Sequence, residues 1–137
     1  MKYFFYLCVL AMLIGMSAPS TAAQTFTVTD IGAASGFSSS TGVSINNRGH
    51  ILLQASGQYY VFSNGAAQPL MGSPSQVGNI NDKDQVAGAG FINGFYHAGL
   101  YTTNSVTDLE AAEPYQFQYS AAYGVNRYGH CYLLLAT

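Results

Sequence analysis

The feature that most restricts this chain is a repeat: the segments Gly42-Val-Ser-Ile-Asn-Asn-Arg-Gly-His-Ile-Leu-Leu53, Val77-Gly-Asn-Ile-Asn-Asp-Lys-Asp-Gln-Val-Ala-Gly88 and Ala122-Tyr-Gly-Val-Asn-Arg-Tyr-Gly-His-Cys-Tyr-Leu133 superpose. Each runs from an aliphatic residue to Asn, through a polar turn to His or Gln, and into a second apolar run. The leading asparagines Asn46, Asn81 and Asn126 are 35 and 45 residues apart. A second block, Tyr60 to Leu70, lies over Gly99 to Leu109 at an offset of 39, and a further step of 39 back from Pro69 lands on Asp30 in Thr27-Val-Thr-Asp-Ile31. The four-residue difference between 35 and 39 marks an insertion in the second unit, expected as a loop around Gly88 to Gly94. Self-similarity at this period indicates repeated supersecondary units that share a core.

Local chemistry makes each unit a set of short antiparallel strands. Asn46-Asn47-Arg48-Gly49 is a turn between the strand-like runs Gly42–Ile45 and Ile51–Ala55, which is a hairpin. Ser56-Gly57 and Asn64-Gly65 turn the chain twice more, so a unit holds four strands. Turns are expected at 46–49, 81–84 and 126–129. No apolar spacing of three and four persists beyond residue 24, so long helices are not expected. Tyr115, Phe117, Tyr119, Ala121 and Tyr123 alternate with polar or small residues, the period of a strand. The expected fold is all-β: antiparallel four-stranded, blade-like repeats forming an open partial β-propeller, preceded by an N-terminal signal-peptide helix. Residues 25–31 are expected as the last strand of a unit, 42–70 as unit one, 76–109 as unit two and 115–137 as a partial unit three, about two and a half units in all.

Three pieces of unit two, Ile80-Asn-Asp-Lys-Asp-Gln-Val-Ala-Gly88, His97-Ala-Gly-Leu-Tyr101 and Val106-Thr-Asp-Leu109, resemble the bacterial extracellular repeat called the HAF family. Gly99 stands where that family carries Phe, and Gln58-Tyr59-Tyr60 replaces its His-Ala-Phe in unit one. The resemblance spans essentially all of residues 24–137. It implies an exported or surface-displayed protein with β-propeller-like repeats and no established catalytic residues.

The N-terminus fits that address. Met1-Lys2 precedes an apolar stretch from Tyr3 to Met16 and then a run of small residues up to Ala23, the layout of a secretory signal peptide. The stretch is shorter than the ~20 residues of a membrane-crossing helix, and Pro19 would break an extended one. Ser20 and Thr21 suit cleavage after Ala22 or Ala23, so residues 1–23 are read as the signal peptide and 24–137 as one β-repeat domain. Localisation is expected to be secreted, cell-surface or periplasmic, with no membrane association after cleavage. Only 7% of residues are charged, well below the ~25% of a typical domain. Past the leader, Arg48, Lys83 and Arg127 face six acidic residues, which offers no basic stripe to a nucleic acid. Cys8 leaves with the signal and Cys131 is then alone: a small buried hydrophobe, an interchain partner or a reactive thiol.

Each candidate catalytic or ligand group has a structural counterpart in the repeat. His50, Gln85 and His130 share one position after the turn, and His97 holds the His of the third strand, which suits recurring hydrogen bonds better than a converging metal site. Asp82-Lys83-Asp84 lacks the Gly and the distal Glu of a calcium loop and reads as a turn. Glu110 and Glu113 beside Pro114 read as solvated loop charges rather than a glycosidase pair. The serines between Ser35 and Ser44 match no nucleophile motif and read as a loop, and Gly88, Gly90 and Gly94 match no dinucleotide pattern. No catalytic, metal or cofactor residue is assigned. Of the eleven Tyr and eight Phe, with no Trp, Tyr3, Phe4, Phe5 and Tyr6 leave with the signal and part of the rest fills the thin core, while exposed aromatic faces stack on sugars or anchor protein interfaces. Tyr59, Tyr96, Tyr115, Tyr119 and Tyr123 are the expected ligand-contact residues. The function expected is a noncatalytic binding or surface-structure module for an extracellular glycan or protein. The alternatives are a truncated fragment of a longer repeat protein without independent function, and an exported hydrolase, which requires His97 and the carboxylates to converge. Self-association is expected, because an open arc and the apolar edge Cys131-Tyr-Leu-Leu-Leu135 leave strand surface uncovered.

Overall fold

Each leading asparagine closes its own turn. Asn46 Oδ1 accepts from the Arg48 and His50 amides at 3.0 and 2.9 Å, Asn81 Oδ1 from Lys83 and Gln85 at 2.9 and 3.0 Å, and Asn126 Oδ1 from Tyr128 and His130 at 2.9 and 3.0 Å. The fourth residue of each quartet has positive φ: Gly49 at 78°, Asp84 at 59° and Gly129 at 95°. A left-handed residue there favours glycine, or an Asp that tolerates it. The expected turns at 46–49, 81–84 and 126–129 are thus built by local side-chain chemistry.

The computed structural model of the chain describes residues 25–111 and 119–136. A four-residue helix α1 (Ile31–Ala34) leads into β1 (Ser40–Ile45), β2 (Ile51–Ala55), β3 (Gln58–Ser63) and β4 (Ala66–Pro69), which form one antiparallel four-stranded sheet in chain order. Then come β5 (Gln76–Ile80), β6 (Val86–Ile92), β7 (Phe95–Tyr101) and β8 (Val106–Asp108), and the hairpin β9 (Tyr119–Val125) and β10 (Cys131–Ala136). Strands β5 to β8 pair in chain order, and β9 joins the edge of β7 by one parallel bridge, Tyr96 to Tyr119. The fold is mostly β with antiparallel pairing, and no closed barrel or propeller forms among the described residues. No helix among them is long and apolar enough to cross a membrane.

The repeat extends to irregularities. Pairing slips between Gly42 and Ser44 in unit one, between Val77 and Ile80 in unit two and opposite Tyr132/Leu133 in the third hairpin. All three bulges fall at the same point of the repeat, around Val43, Gly78 and Tyr123, and a bulge bends its strand and strengthens the twist. The bulge also breaks the alternation expected around Tyr123: Ser120, Ala121 and Ala122 are consecutively buried.

Successive units stack through one recurring contact. Asn46 Nδ2 donates to Asn81 O at 2.9 Å, and Asn81 Nδ2 donates to Asn126 O at 2.9 Å. Around the first rung Asn47 donates twice to Asp82, from N at 2.8 Å and Nδ2 at 2.9 Å, which holds that carboxyl below its usual range. His50 Nδ1 lies 2.8 Å from Asp84 Oδ1. Around the second, Asn79 brackets Val125 with bonds of 2.8 and 3.0 Å. A Cβ on Gly78 would lie 2.1 Å from Tyr123 O, so that position admits only glycine. Leu52, Val61 and Leu70 from unit one meet Ile80, Val86 and Tyr101 from unit two in one cluster, and Ala87 and Ala98 meet Ala122 and Val125 in the next.

Several expectations need correction. Residues 25–31 are not a strand: 25–30 pair with nothing in a ladder, and Asp30 caps α1 by accepting from Ala33 N at 2.9 Å. An Asx cap three residues before a free amide favours a helical turn over an edge strand that has no partner. The Ser-rich run is not all loop, because β1 already begins at Ser40. The insertion in unit two is not a loop either. Ala55 pairs with Gln58 around Ser56-Gly57, whereas Gly90 pairs with His97 and two further rungs, Phe91 with Tyr96 and Ile92 with Phe95, follow before Asn93-Gly94. Two residues were added to each strand, so the register is kept and the hairpin is longer. The expected signal peptide (1–23) and Tyr115 lie outside the described residues.

Candidate functional site

The lengthened β6–β7 hairpin carries aromatic residues on both sides of its turn. Asn93 and Gly94 both have positive φ, 52° and 91°, the requirement of the tight hairpin turn for which Asn-Gly is the strongest signal. Phe91 meets Tyr96 edge to face at 5.6 Å, and the Tyr96 ring stacks on Tyr119 at 5.0 Å with an interplanar angle of 6°. Phe91, Phe95 and Tyr119 are exposed and Tyr96 is half-buried. Phe91, Tyr96 and Tyr119 therefore form one aromatic cluster on one side of the arm, and Phe95 lies on the other side with His97. Of the five tyrosines singled out from sequence, Tyr96 and Tyr119 come together here. Tyr123 is exposed elsewhere, beside Tyr132 and His130 around an open concavity of about 500 Å³. Tyr59 is half-buried and packs against the Leu52 and Val61 cluster, away from the arm.

Under the arm sits a buried histidine between two carboxyl groups. His97 Nδ1 lies 3.1 Å from Asp108 Oδ2 and Nε2 lies 3.3 Å from Glu110 Oε2, with side-chain exposures of 5%, 8% and 1%. The reading of Glu110 as a solvated loop charge is overturned. Gly99 pairs with Asp108, so the antiparallel register continues with Ala98 O accepting from Leu109 N at 3.0 Å and brings Glu110 beside His97. His97 and the carboxylates do converge, as the hydrolase alternative requires. Phe95 stacks on the imidazole at 5.4 Å, and neither oxygen of Glu110 nor His97 Nε2 has a hydrogen-bond partner with good geometry among the described residues. The nearby Ser120 hydroxyl accepts from Ala98 N at 2.7 Å and is wholly buried. A general base must reach the proton it takes in a substrate pose, and neither the concavity around Tyr123 nor the one around Ile45 and Asn81 is lined by this imidazole. No group of three metal-ligating side chains with suitable geometry exists among the described residues.

The chain matches no family model, no curated protein and no solved structure. What its site offers is read from chemistry alone: a partly exposed cluster of aromatic rings where the β6–β7 arm meets β9, above a buried histidine and two carboxyl groups.

Sequence reasoning missed Phe91 and Phe95. The signal was present in Phe91-Ile-Asn-Gly-Phe-Tyr96, where aromatics flank an Asn-Gly turn; treating the insertion as a loop hid it. It also missed the His97 to Glu110 pairing, which follows once the β7–β8 register is known. Gly99 has a packing reason: a Cβ there would lie 2.7 Å from the Tyr101 ring and 2.9 Å from Ile92, which occupy the space.

Proposed function

We propose that the chain is an exported, noncatalytic repeat module, an open propeller-like arc of blade-like units that recognises an extracellular glycan through the aromatic arm of unit two. The observation that carries this reading is the aromatic set of Phe91 and Tyr96 near the tip of the β6–β7 hairpin, edge to face, with Tyr119 of the adjoining β9 stacked on Tyr96. Two added rungs extend the arm beyond the length of its unit-one counterpart and place aromatic rings in solvent, where hydrophobic packing within the fold gains little from them. Flat rings with low rotamer entropy suit the apolar face of a sugar. The leader-like N-terminus and the resemblance to HAF repeats support an extracellular address. The scarcity of charge supports a neutral ligand over a nucleic acid.

The test is a glycan array followed by titration calorimetry on the best hit. Tyr96→Ala and Phe91→Ala are expected to weaken binding at least about tenfold, on the order of 1.4 kcal/mol. Tyr128→Ala, on an exposed turn away from the arm, is expected to leave it unchanged. An array without sugar binding by folded protein overturns the glycan reading and points to a protein ligand. The hydrolase reading has one favourable observation, the convergence of His97, Asp108 and Glu110. Turnover of a chromogenic ester or glycoside that disappears in His97→Ala would revive it; none is expected with the imidazole buried beneath Phe95.

A further inference from the structure

The stacking contact has a direction. In each interface the earlier unit supplies an asparagine Nδ2 and an apolar residue early in its second strand, and the later unit supplies an asparagine carbonyl and the aliphatic residue just before it. From unit one to unit two these are Asn46, Leu52, Asn81 and Ile80, and from unit two to the third hairpin they are Asn81, Ala87, Asn126 and Val125. Inside these interfaces the apolar members are covered: Leu52 and Ala87 are 0% exposed, Ile80 3% and Val125 6%.

The same positions at the two ends of the stack are bare among the described residues. At the head, Ile45 occupies the place of Ile80 and Val125 and is 64% exposed, and the Asn46 carbonyl accepts, among the described residues, only from its own turn amide, Gly49 N at 3.1 Å. At the tail, Tyr132 occupies the place of Leu52 and Ala87 and is 66% exposed, and no described residue accepts from Asn126 Nδ2. What the head lacks is what the tail presents: a donor for its carbonyl and an apolar ring for its isoleucine.

We infer that these two ends are the halves of one heterologous interface, so that the tail face of the third hairpin (Asn126, Tyr132) docks on the head face of unit one (Ile45, Asn46) of a second copy of this chain. The occupant is a second copy because the contact continues the interface already formed twice within the chain, with the same donor, acceptor and apolar partners. Because head binds tail rather than head, the contact can propagate into rings or longer arrays instead of stopping at a symmetric pair.

The experiment is sedimentation velocity and light scattering on protein purified after expression of the full chain, over a hundredfold concentration range. The mass is expected to rise with concentration past that of a dimer. Ile45→Glu disables only the head and Tyr132→Glu only the tail; both side chains are solvent-exposed in a single copy, and circular dichroism reports that each variant is folded. Each variant alone is expected to remain monomeric. An equimolar mixture is expected to form a one-to-one dimer and go no further, since the intact tail of the first meets the intact head of the second. The milder pair Ile45→Ser and Tyr132→Ser serves the same comparison if the charged variants fold poorly. A wild-type chain that stays monomeric throughout, assembly that survives either single variant, or a mixture that stays monomeric overturns the inference.

Discussion

Replacing Asn81 by Ala tests whether one side chain both closes a turn and joins two units. Asn81 makes four hydrogen bonds: Oδ1 accepts from the Lys83 and Gln85 amides, and Nδ2 donates to Asn126 O and Gln85 Oε1. Asn126 makes the same two turn bonds and, among the described residues, no forward bond. At about 1 kcal/mol net per bond, Asn81→Ala should cost about 4 kcal/mol and Asn126→Ala about 2 kcal/mol. The difference, about 2 kcal/mol, isolates the Nδ2 bonds. For a domain of this size each kcal/mol is worth about 4 °C in melting temperature, so the two variants should melt about 8 °C apart. Asn81→Asp is a sharper probe, since it keeps both Oδ1 acceptors but sets a carboxylate oxygen against the Asn126 carbonyl, and it should cost at least about 1 kcal/mol. Urea unfolding at protein concentrations low enough to keep the chain monomeric measures all three. Equal costs for Ala at 81 and 126, or an Asp at 81 as stable as Asn, would refute the ladder as a determinant of stacking.

Gly78→Ala should destabilise by more than about 2 kcal/mol in the same urea assay, because the new Cβ meets the Tyr123 carbonyl at 2.1 Å, whereas Gly42→Ala, with nothing within 4 Å, should stay within about 1 kcal/mol of wild type. Burial, with lesser help from the negative charges of Tyr96 and Asp108, pushes the Tyr101 phenol from 10.0 up to about 12. The unfolded chain therefore ionises first, and this stability is fully present below pH 10 and is lost as pH rises towards 12. Tyr101→Phe should flatten that alkaline fall in chemical-denaturation curves, at little cost near neutrality, since the buried hydroxyl has no partner among the described residues. His97→Ala should cost about 3 kcal/mol or more by leaving two buried carboxylates without their imidazole, while Glu110→Gln, which removes a poorly bonded buried charge, should be neutral to stabilising in thermal melts. Intact-mass measurement of secreted material should find a chain starting at Ala23 or Gln24; retention of the leader in a membrane fraction would contradict the signal-peptide reading.

The turns, the hairpins and the four-strand rhythm were legible because their chemistry is local. An asparagine reaching amides two and four residues ahead, followed by a position that needs positive φ, is complete within five residues and recurs wherever the pattern recurs. The bulge positions repeat as faithfully, yet they depend on pairing and only the sheets reveal them. The candidate site was half legible: Tyr96 and Tyr119 were singled out, but their stacking across 23 residues follows from a single parallel bridge where β9 meets the uncovered part of the β7 edge.

Sequence by itself determined the β class, the repeat and the turn at each leading asparagine, since each follows from side chains acting on their own backbone. Tertiary structure alone decided that residues 25–31 join no sheet, that the inserted residues became two rungs, that Tyr59 faces the core and that Glu110 is buried against His97. It also decided which copies of a repeated residue are covered. Ile45, Ile80 and Val125 are alike in sequence and local structure, and only the presence of a preceding unit buries the last two and leaves the first in solvent. Burial is a property of what lies above a side chain, and a pattern read along the chain does not contain it.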